Sequence, residues 1–380
     1  MISYNSDWLN NLLIRQQATE AFHEQCLSNE ELNKINERFP DGFYTPNLFI
    51  RIGLFLLTVI ILLFSFGLLI LLFSSSPDKT IGGMSVFFAL ITYGALEYIV
   101  KAKNHLKSGV DDALLWVSAI SLGGGISYLT SAEELANCWI IFIIAAFYSI
   151  RFADRIIVVA GFLALLGIFF FTITQWGIVA IAITPFLLMG VSLLTYIVTT
   201  RAQHRGKNLL YQNCLQILSI VSLLSIYFSG NYLAVREMGN AFIEFGKNTN
   251  QLLPFGWLFW ILTCVIPLVY IARGIQKKDI MMIRVGLLLV AAIIFTVRYY
   301  YPLGSIEMIM AIAGASLVAI SYGLSKYLII PKYGFTYKKT DNINNDKAQL
   351  EAIIVAQTFS AAAVPSEGSG FGGGSFGGGG

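Results

Sequence analysis

Long uninterrupted runs of apolar residues are the dominant pattern of this chain. The clearest run, Ile52 to Phe73, contains no charged side chain. An apolar run of about 20 residues has the length that a helix needs to cross a hydrocarbon core of ~30 Å. No segment alternates apolar and polar residues as the strands of a membrane barrel do. The pattern therefore predicts an all-α fold, a polytopic transmembrane helix bundle.

The same pattern predicts about ten spans. The fourth is short and follows a tight turn at 131–135, so nine spans with a re-entrant piece remain an alternative. The ten predicted spans are 52–73, 81–100, 113–131, 135–150, 156–174, 177–199, 209–228, 254–273, 280–300 and 306–326.

The basic residues favour ten spans with both termini in the cytoplasm. With the N-terminus placed inside, 20 of the 25 Lys and Arg residues fall in cytoplasmic segments, four fall outside, and Arg284 lies within a span. Such an excess of positive charge marks cytoplasmic loops. Trp176 and the run Arg298 to Tyr301 then lie at outer interfaces, where amphipathic aromatic rings concentrate.

Composition agrees with a membrane protein, since 56% of the residues are hydrophobic and only 12% are charged. The first 47 residues lack a signal-peptide pattern. Three regions are predicted: a cytoplasmic helical hairpin at 1–50, the ten-helix membrane domain at 51–326, and a cytoplasmic tail at 327–380. The expected partner is the lipid bilayer, and nothing indicates binding to nucleic acid.

The two terminal regions are the candidate docking segments for a protein partner. Ser6 is predicted to cap the first N-terminal helix, and Ser28 with Glu31 forms a capping box for the second. The hairpin is either such a docking segment or an appendage packed on the cytoplasmic loops. The tail is predicted to contain a short amphipathic helix at 347–359 and a glycine-rich end that cannot bury enough surface to order itself.

The "LSNEEL" box, the first span opening "RIGLFLLTVI" and the terminal "FGGGSFGGGG" together resemble uncharacterised multi-pass bacterial inner-membrane proteins. The tail is also similar to the Gly/Phe-rich ends of other bacterial membrane-anchored proteins. The resemblance covers the layout of most of the chain. It implies a bacterial cytoplasmic membrane but no particular activity and no site residues.

The sequence carries no catalytic, cofactor or metal motif. Its three histidines and four cysteines show no metal-ligand spacing, and no phosphate loop or nucleophile elbow occurs. We therefore expect no enzymatic activity and no cofactor. Two function classes remain: a non-catalytic membrane component such as a scaffold, sensor or accessory subunit, or a transporter or channel for an uncharged, zwitterionic or amphiphilic solute.

Intramembrane ionisable residues are few, and each is a functional hypothesis because its burial in lipid is costly. Glu97 and Arg284 lie at equal depth near the cytoplasmic boundary, so they are a possible pair. The alternative is that Glu97 bonds to Lys101, one helical turn away, while Arg284 reaches the headgroups.

Glycine and alanine patterns mark two further features. Gly123, Gly124 and Gly125 in the third span predict either an unwound segment, as in many transporters, or a close-packed helix. In the tenth span a small-residue ridge predicts a helix-packing face; its members are Ala311, Ala315, Ala319 and Gly323.

Aspartates recur at the cytoplasmic starts of predicted spans, where a carboxylate can cap free backbone N–H groups. These predicted helix starts are Asp112, Asp154 and Asp279. Asp111, adjacent to Asp112, has no such explanation. The stretches around Asp154 and Asp279 also echo each other, since each Asp precedes a glycine of the following span, Gly161 or Gly286.

Overall fold

The computed structural model describes residues 2–23, 26–73, 79–174, 178–204, 209–244, 255–277 and 279–300, with four isolated residues beyond them. Within these residues the chain is helical, and its only β contact is an isolated parallel bridge between Tyr44 and His105. The helices are α1 (Ser6–His23), α2 (Asn29–Arg38), α3 (Leu48–Phe73), α4 (Lys79–Ala102), α5 (Val110–Thr130), α6 (Glu134–Phe152), α7 (Arg155–Thr174), α8 (Ile178–His204), α9 (Gln212–Gly230), α10 (Tyr232–Glu244), α11 (Gly256–Lys277) and α12 (Ile280–Tyr300).

Nine helices of the described ranges are long and apolar enough to cross a membrane, namely all except α1, α2 and α10. They correspond to the first nine predicted spans, which confirms the all-α polytopic bundle. The fourth span, α6, is a continuous helix of 19 residues rather than a re-entrant piece. The tenth predicted span, 306–326, lies outside the described residues apart from isolated positions.

Consecutive helices pair as antiparallel hairpins, and the closest pairs are α4/α5, α6/α7, α8/α9 and α11/α12. Each of these pairs is joined at the end predicted to face the cytoplasm. Glycines allow the close approach. A Cβ added to Gly125 of α5 would lie 2.9 Å from the Val86 amide nitrogen of α4, and one added to Gly286 of α12 would lie 3.1 Å from the Ile271 amide nitrogen of α11.

Two apolar clusters form the interior of the bundle. The first joins α4, α5, α6 and α7 around Leu96, Leu115 and Tyr148. The second joins α9, α11 and α12 around Tyr227, Ile266 and Leu289. In contrast, α3 has no buried residue in its most apolar window, which fits a helix surrounded mainly by lipid.

The chain divides into two compact units, one of residues 1–11 and 41–309 and one of residues 12–40 and 310–380. In the second unit, α2 begins with the predicted capping box. Ser28 Oγ accepts from the Glu31 amide, and the Ser28 amide donates to the Glu31 carboxylate at 2.9 Å. The Ser28 hydroxyl also donates to this carboxylate at 2.9 Å, and the two hydrogen bonds that the carboxylate accepts lower the pKa of Glu31 below its ordinary value.

At the start of the first unit, Asn5 caps α1 by accepting from the Asp7 and Trp8 amides at 3.0 and 3.3 Å. The prediction that Ser6 provides this cap is therefore wrong by one residue. Ser6 is itself the first helical residue.

Candidate functional site

Polar contacts near the membrane concentrate on Glu97, five residues before the end of α4. Its Oε1 accepts from Arg151 Nε of α6 at 2.8 Å and from the Tyr93 hydroxyl at 2.9 Å. Its Oε2 lies 2.7 Å from Lys101 Nζ and accepts from Ser3 Oγ at 3.1 Å. The carboxylate thus joins α4, α6 and the N-terminal segment, and we call it the Glu97 node.

The predicted partner of Glu97 is absent from this node. Arg284 has an exposed side chain on α12, and α12 packs on α9 and α11. The Glu97–Lys101 contact, the alternative drawn from the sequence, is present. Equal depth alone could not reveal which helices are neighbours, and it is α6 rather than α12 that lies beside the end of α4.

The N-terminal segment itself completes the node. The Ser3 amide donates to the Arg151 carbonyl at 2.8 Å, and Ser3 is buried. The Tyr4 ring packs edge-on against Phe43 and Phe152, with ring centroids 6.3 Å apart in both contacts. Loss of water around the phenol raises the pKa of Tyr4 well above its usual range, and three nearby aspartates add to this rise.

The end of α6 shows why these contacts matter. The last four carbonyls of a helix have no partner within the helix. Here the Ile150 carbonyl accepts from the Tyr211 hydroxyl at 2.7 Å, the Arg151 carbonyl accepts from Ser3, and the Ala153 carbonyl just beyond accepts from Cys214 Sγ at 2.9 Å. Side chains and backbone from distant parts of the chain therefore cap α6.

The two adjacent aspartates at the start of α5 bind different partners. Asp112 forms an ion pair with Arg51 of α3, with 2.6 Å between Oδ2 and Nη2. Asp111 is buried, and its carboxylate accepts from the Lys107 amide at 2.7 Å, the Ser108 amide at 2.8 Å and Ser108 Oγ at 2.9 Å. Asp111 thus holds the loop that precedes the helix.

This arrangement corrects the prediction that Asp112 caps α5. The N-cap position belongs to Gly109, and no side chain caps this helix. Gly109 has a φ of 92°, and a Cβ added there would lie 2.1 Å from the Arg51 carbonyl oxygen of α3. Only glycine fits this position, because both the backbone conformation and the contact exclude a side chain.

The other two predicted helix starts are capped as expected. Asp154 Oδ1 accepts from the Ile156 and Ile157 amides, each at 3.0 Å. Asp279 Oδ1 accepts from the Met281 and Met282 amides at 3.0 and 3.3 Å.

The three consecutive glycines lie within the continuous helix α5, so the predicted unwound segment does not occur there. Gly125 makes the close approach to α4, whereas an added Cβ at Gly123 would make an ordinary contact of 3.6 Å with Ile144. An added Cβ at Gly124 would contact nothing within 4 Å. Of the two alternatives, close packing describes Gly125.

The small-residue ridge of the tenth span cannot be assigned to a packing face. Ala311, Ala319 and Gly323 lie outside the described residues, and Ala315 is described only as an exposed helical residue.

The loop between α4 and α5 is also paired with the segment before α3. The Tyr44 amide donates to the Asn104 carbonyl at 3.0 Å, and the Leu106 amide donates to the Tyr44 carbonyl at 3.3 Å. The ring of Tyr44 lies against His105, whose Nδ1 is 2.8 Å from Ser108 Oγ. His105, Ser108 and Asp111 therefore form one hydrogen-bonded chain.

A second polar cluster lies at the opposite end of the bundle and contains no charge. Asn231 is buried between α9 and α10; its Nδ2 donates to the Tyr227 hydroxyl at 2.9 Å and to Thr296 Oγ1 of α12 at 3.0 Å. Its Oδ1 caps α10 by accepting from the Leu233 and Ala234 amides. Thr263 of α11 accepts from the Tyr232 amide at 3.0 Å. We call this the Asn231 cluster.

Sequence reasoning missed Ser3, Arg151 and Asn231. In the sequence, Ser3 is one residue of a polar terminal segment and Arg151 is one of many basic residues in the predicted cytoplasmic segments. Only their tertiary contacts distinguish them from their neighbours. Asn231 offered a signal, because an Asn directly before the helix 232–244 is a favoured cap. Within the described ranges, no group of three or more His, Cys, Asp or Glu side chains could hold a metal ion.

Comparisons with known proteins add no family to this geometry. No protein-family model matches the chain. Neither the curated proteins nor the solved structures contain a significant match.

Proposed function

We propose that the chain is a non-catalytic component of a bacterial cytoplasmic membrane, a scaffold, sensor or accessory subunit with both termini in the cytoplasm. The observation that carries the proposal is the use of the acidic groups at the helix ends predicted to face the cytoplasm. Glu97, Asp111 and Asp112 are engaged in intramolecular contacts, and Asp154 and Asp279 cap helices. A coupling ion or a cationic substrate would need such a group to be available.

The middle of the bundle supports the same proposal. In each of the nine spans, charged side chains lie only near the helix ends. The glycine-rich part of α5 stays helical, so it does not offer unwound backbone to a solute. The bacterial membrane and the orientation follow from the layout resemblance and the distribution of basic residues.

Cysteine accessibility tests this proposal against the alternative of a transporter or channel. In a variant in which Cys26, Cys138, Cys214 and Cys264 are replaced, single cysteines at Ser118 of α5 and Ser192 of α8 report on the two interiors, because both serines are fully buried. A membrane-impermeant maleimide should label neither. Labelling of either position from one side of the membrane would favour a water-filled path and hence the transporter.

The controls test the orientation at the same time. A cysteine at the exposed Lys103 should react only in inside-out vesicles, and one at the exposed Arg236 should react only in right-side-out vesicles. Reaction of both from the same side would contradict the proposed topology. A partner that cross-links to the full chain but not to a chain lacking 347–380 would support the scaffold role of the tail.

A further inference from the structure

The N-terminal segment, residues 2–5, is an irregular stretch of chain attached to the Glu97 node. It is fastened by two hydrogen bonds from Ser3, one to the α6 carbonyl of Arg151 and one to the Glu97 carboxylate, and by the Tyr4 ring between Phe43 and Phe152. We propose that this segment is a releasable strap, with a docked state as described here and a released state in which Ser3 and Tyr4 leave the node.

Release of the strap leaves no uncompensated charge. Glu97 Oε1 keeps Arg151 and the Tyr93 hydroxyl, and Oε2 keeps Lys101. A buried carboxylate that lost its last partner would oppose release strongly, but this one retains both cations. The freed Arg151 carbonyl is at a helix end, where water can replace the Ser3 amide.

The docked state of the strap is only weakly favoured over the released state. Two hydrogen bonds and one aromatic ring stabilise docking, while ordering of the backbone at residues 2–4 opposes it. The strap ends at Asn5, whose side chain caps α1 by accepting from the Asp7 amide. It can therefore leave without the melting of any helix.

Release of the strap would uncover two aromatic rings and two hydrogen-bond acceptors. The docked Tyr4 covers Phe152, a residue of the first apolar cluster, and one edge of Phe43. Release exposes these rings together with the acceptor oxygens of Glu97 and of the Arg151 carbonyl. A switch of this kind suits a sensor or scaffold, yet the strap proposal concerns the mechanics of the molecule and does not depend on the proposed function.

Spin labels measure the docked state directly in the full chain. With the native cysteines replaced, labels at Ile2 and at the exposed Lys103 should give one narrow distance distribution. Ser3→Pro removes the amide donor, and Tyr4→Ala removes the ring. Each should broaden the distribution at least twofold, whereas Ser3→Thr, which keeps the amide and hydroxyl, and Asp7→Asn, on the exposed face of α1, should leave it narrow. A broad distribution in the unmodified strap, or a narrow one in both disruptive variants, would overturn the proposal.

Hydrogen exchange of the Ser3 amide tests whether docking is reversible. A releasable strap should slow this exchange by about 10- to 100-fold relative to an unstructured peptide, yet leave it far faster than exchange in the core of α5. Exchange as slow as in α5 would make the segment a permanent part of the bundle. Exchange at the peptide rate would mean that it never docks. Either result would contradict the proposal that the strap docks reversibly.

Discussion

Helices α3–α7 and helices α8–α12 each enclose an apolar core, but the Glu97 node of the first group and the Asn231 cluster of the second are of different kinds and lie at opposite ends. In the first group, ionised side chains connect α3, α4, α5 and α6 at the ends predicted to face the cytoplasm. In the second group, the Asn231 cluster uses only amides and hydroxyls at the ends predicted to face outward. Charge is tolerable near the basic, hydrated loops, whereas a neutral amide satisfies buried donors without the larger desolvation cost of an ion.

The two groups of helices also differ in the part of the chain that their polar contacts hold in place. In the first group, hydrogen bonds to the Glu97 and Asp111 carboxylates fasten irregular chain, namely the N-terminal segment and the loop 103–109, onto the helix ends. The Asn231 cluster fastens one helix, α10, onto α9, α11 and α12. Loss of a contact in the first group should therefore disturb a loop, and loss of one in the second should disturb the packing of helices.

The largest effect on the first group should come from Gly109→Ala. A side chain there must adopt a φ of 92° and displace α3, since its Cβ would lie 2.1 Å from the Arg51 carbonyl. Strain and overpacking together should lower the free energy of unfolding by roughly 3–5 kcal/mol. Unfolding in mixed micelles, followed by circular dichroism, measures the change. Gly124→Ala is the matched control, because its Cβ has open space and should be neutral or slightly stabilising. Equal stability of the two variants would contradict this account.

The next effect should come from Asp111→Asn. The amide keeps the shape of the carboxylate but places a donor opposite one of the N–H groups of Lys107 and Ser108. We expect a loss of about 2–4 kcal/mol in the free energy of unfolding, because a buried donor is left without an acceptor. Asp112→Asn should cost about 1 kcal/mol or less, since Arg51 is one third exposed and water screens the pair. A larger effect at Asp112 than at Asp111 would reverse the roles assigned to them.

The sequence predicts the elements of this bundle far better than it predicts the contacts between them. Apolar runs of membrane length identify the nine described spans, because a span must satisfy its backbone internally and so depends mainly on its own residues. The caps at Asp154 and Asp279 were predictable for the same reason, since a cap contacts amides two and three residues away. The pairing of Glu97 with Arg151 involves residues 54 positions apart, and it depends on which helices are neighbours. The prediction for Asp112 was wrong because α5 begins directly after Gly109, a glycine with positive φ, so Asp112 lies within the first turn and pairs with Arg51 instead of capping the helix.

In the second group the corresponding change is Asn231→Ala. It removes a donor to Tyr227 and Thr296 and the cap of α10, so we expect a loss of about 1–3 kcal/mol. The cluster contains no ion, and this loss should therefore be the same at low and high salt. Thr130→Ala is a control at the same end of the bundle, because its exposed hydroxyl bonds only within its own helix. A strong salt dependence of the Asn231→Ala effect would show that charge contributes to the cluster.

The smallest effects on the free energy of unfolding should come from the aspartate caps of α7 and α12, and they should be equal in the two groups. Asp154 starts α7 and Asp279 starts α12, and each caps two amides; the glycine seven residues later, Gly161 or Gly286, packs against the preceding helix. Asp154→Ala and Asp279→Ala should each lower the free energy of unfolding by about 1 kcal/mol, which is typical of a lost cap. Glu133→Ala is the matched control, because Glu133 occupies the N-cap position of α6 without a side-chain cap bond and should change nothing measurable. If only one of the two Asp→Ala changes lowered the free energy of unfolding, the hairpins α6/α7 and α11/α12 would resemble each other in sequence but not in how their second helix is stabilised. Equal losses would show that both groups start a helix hairpin by the same local device and differ only in the tertiary contacts built around it.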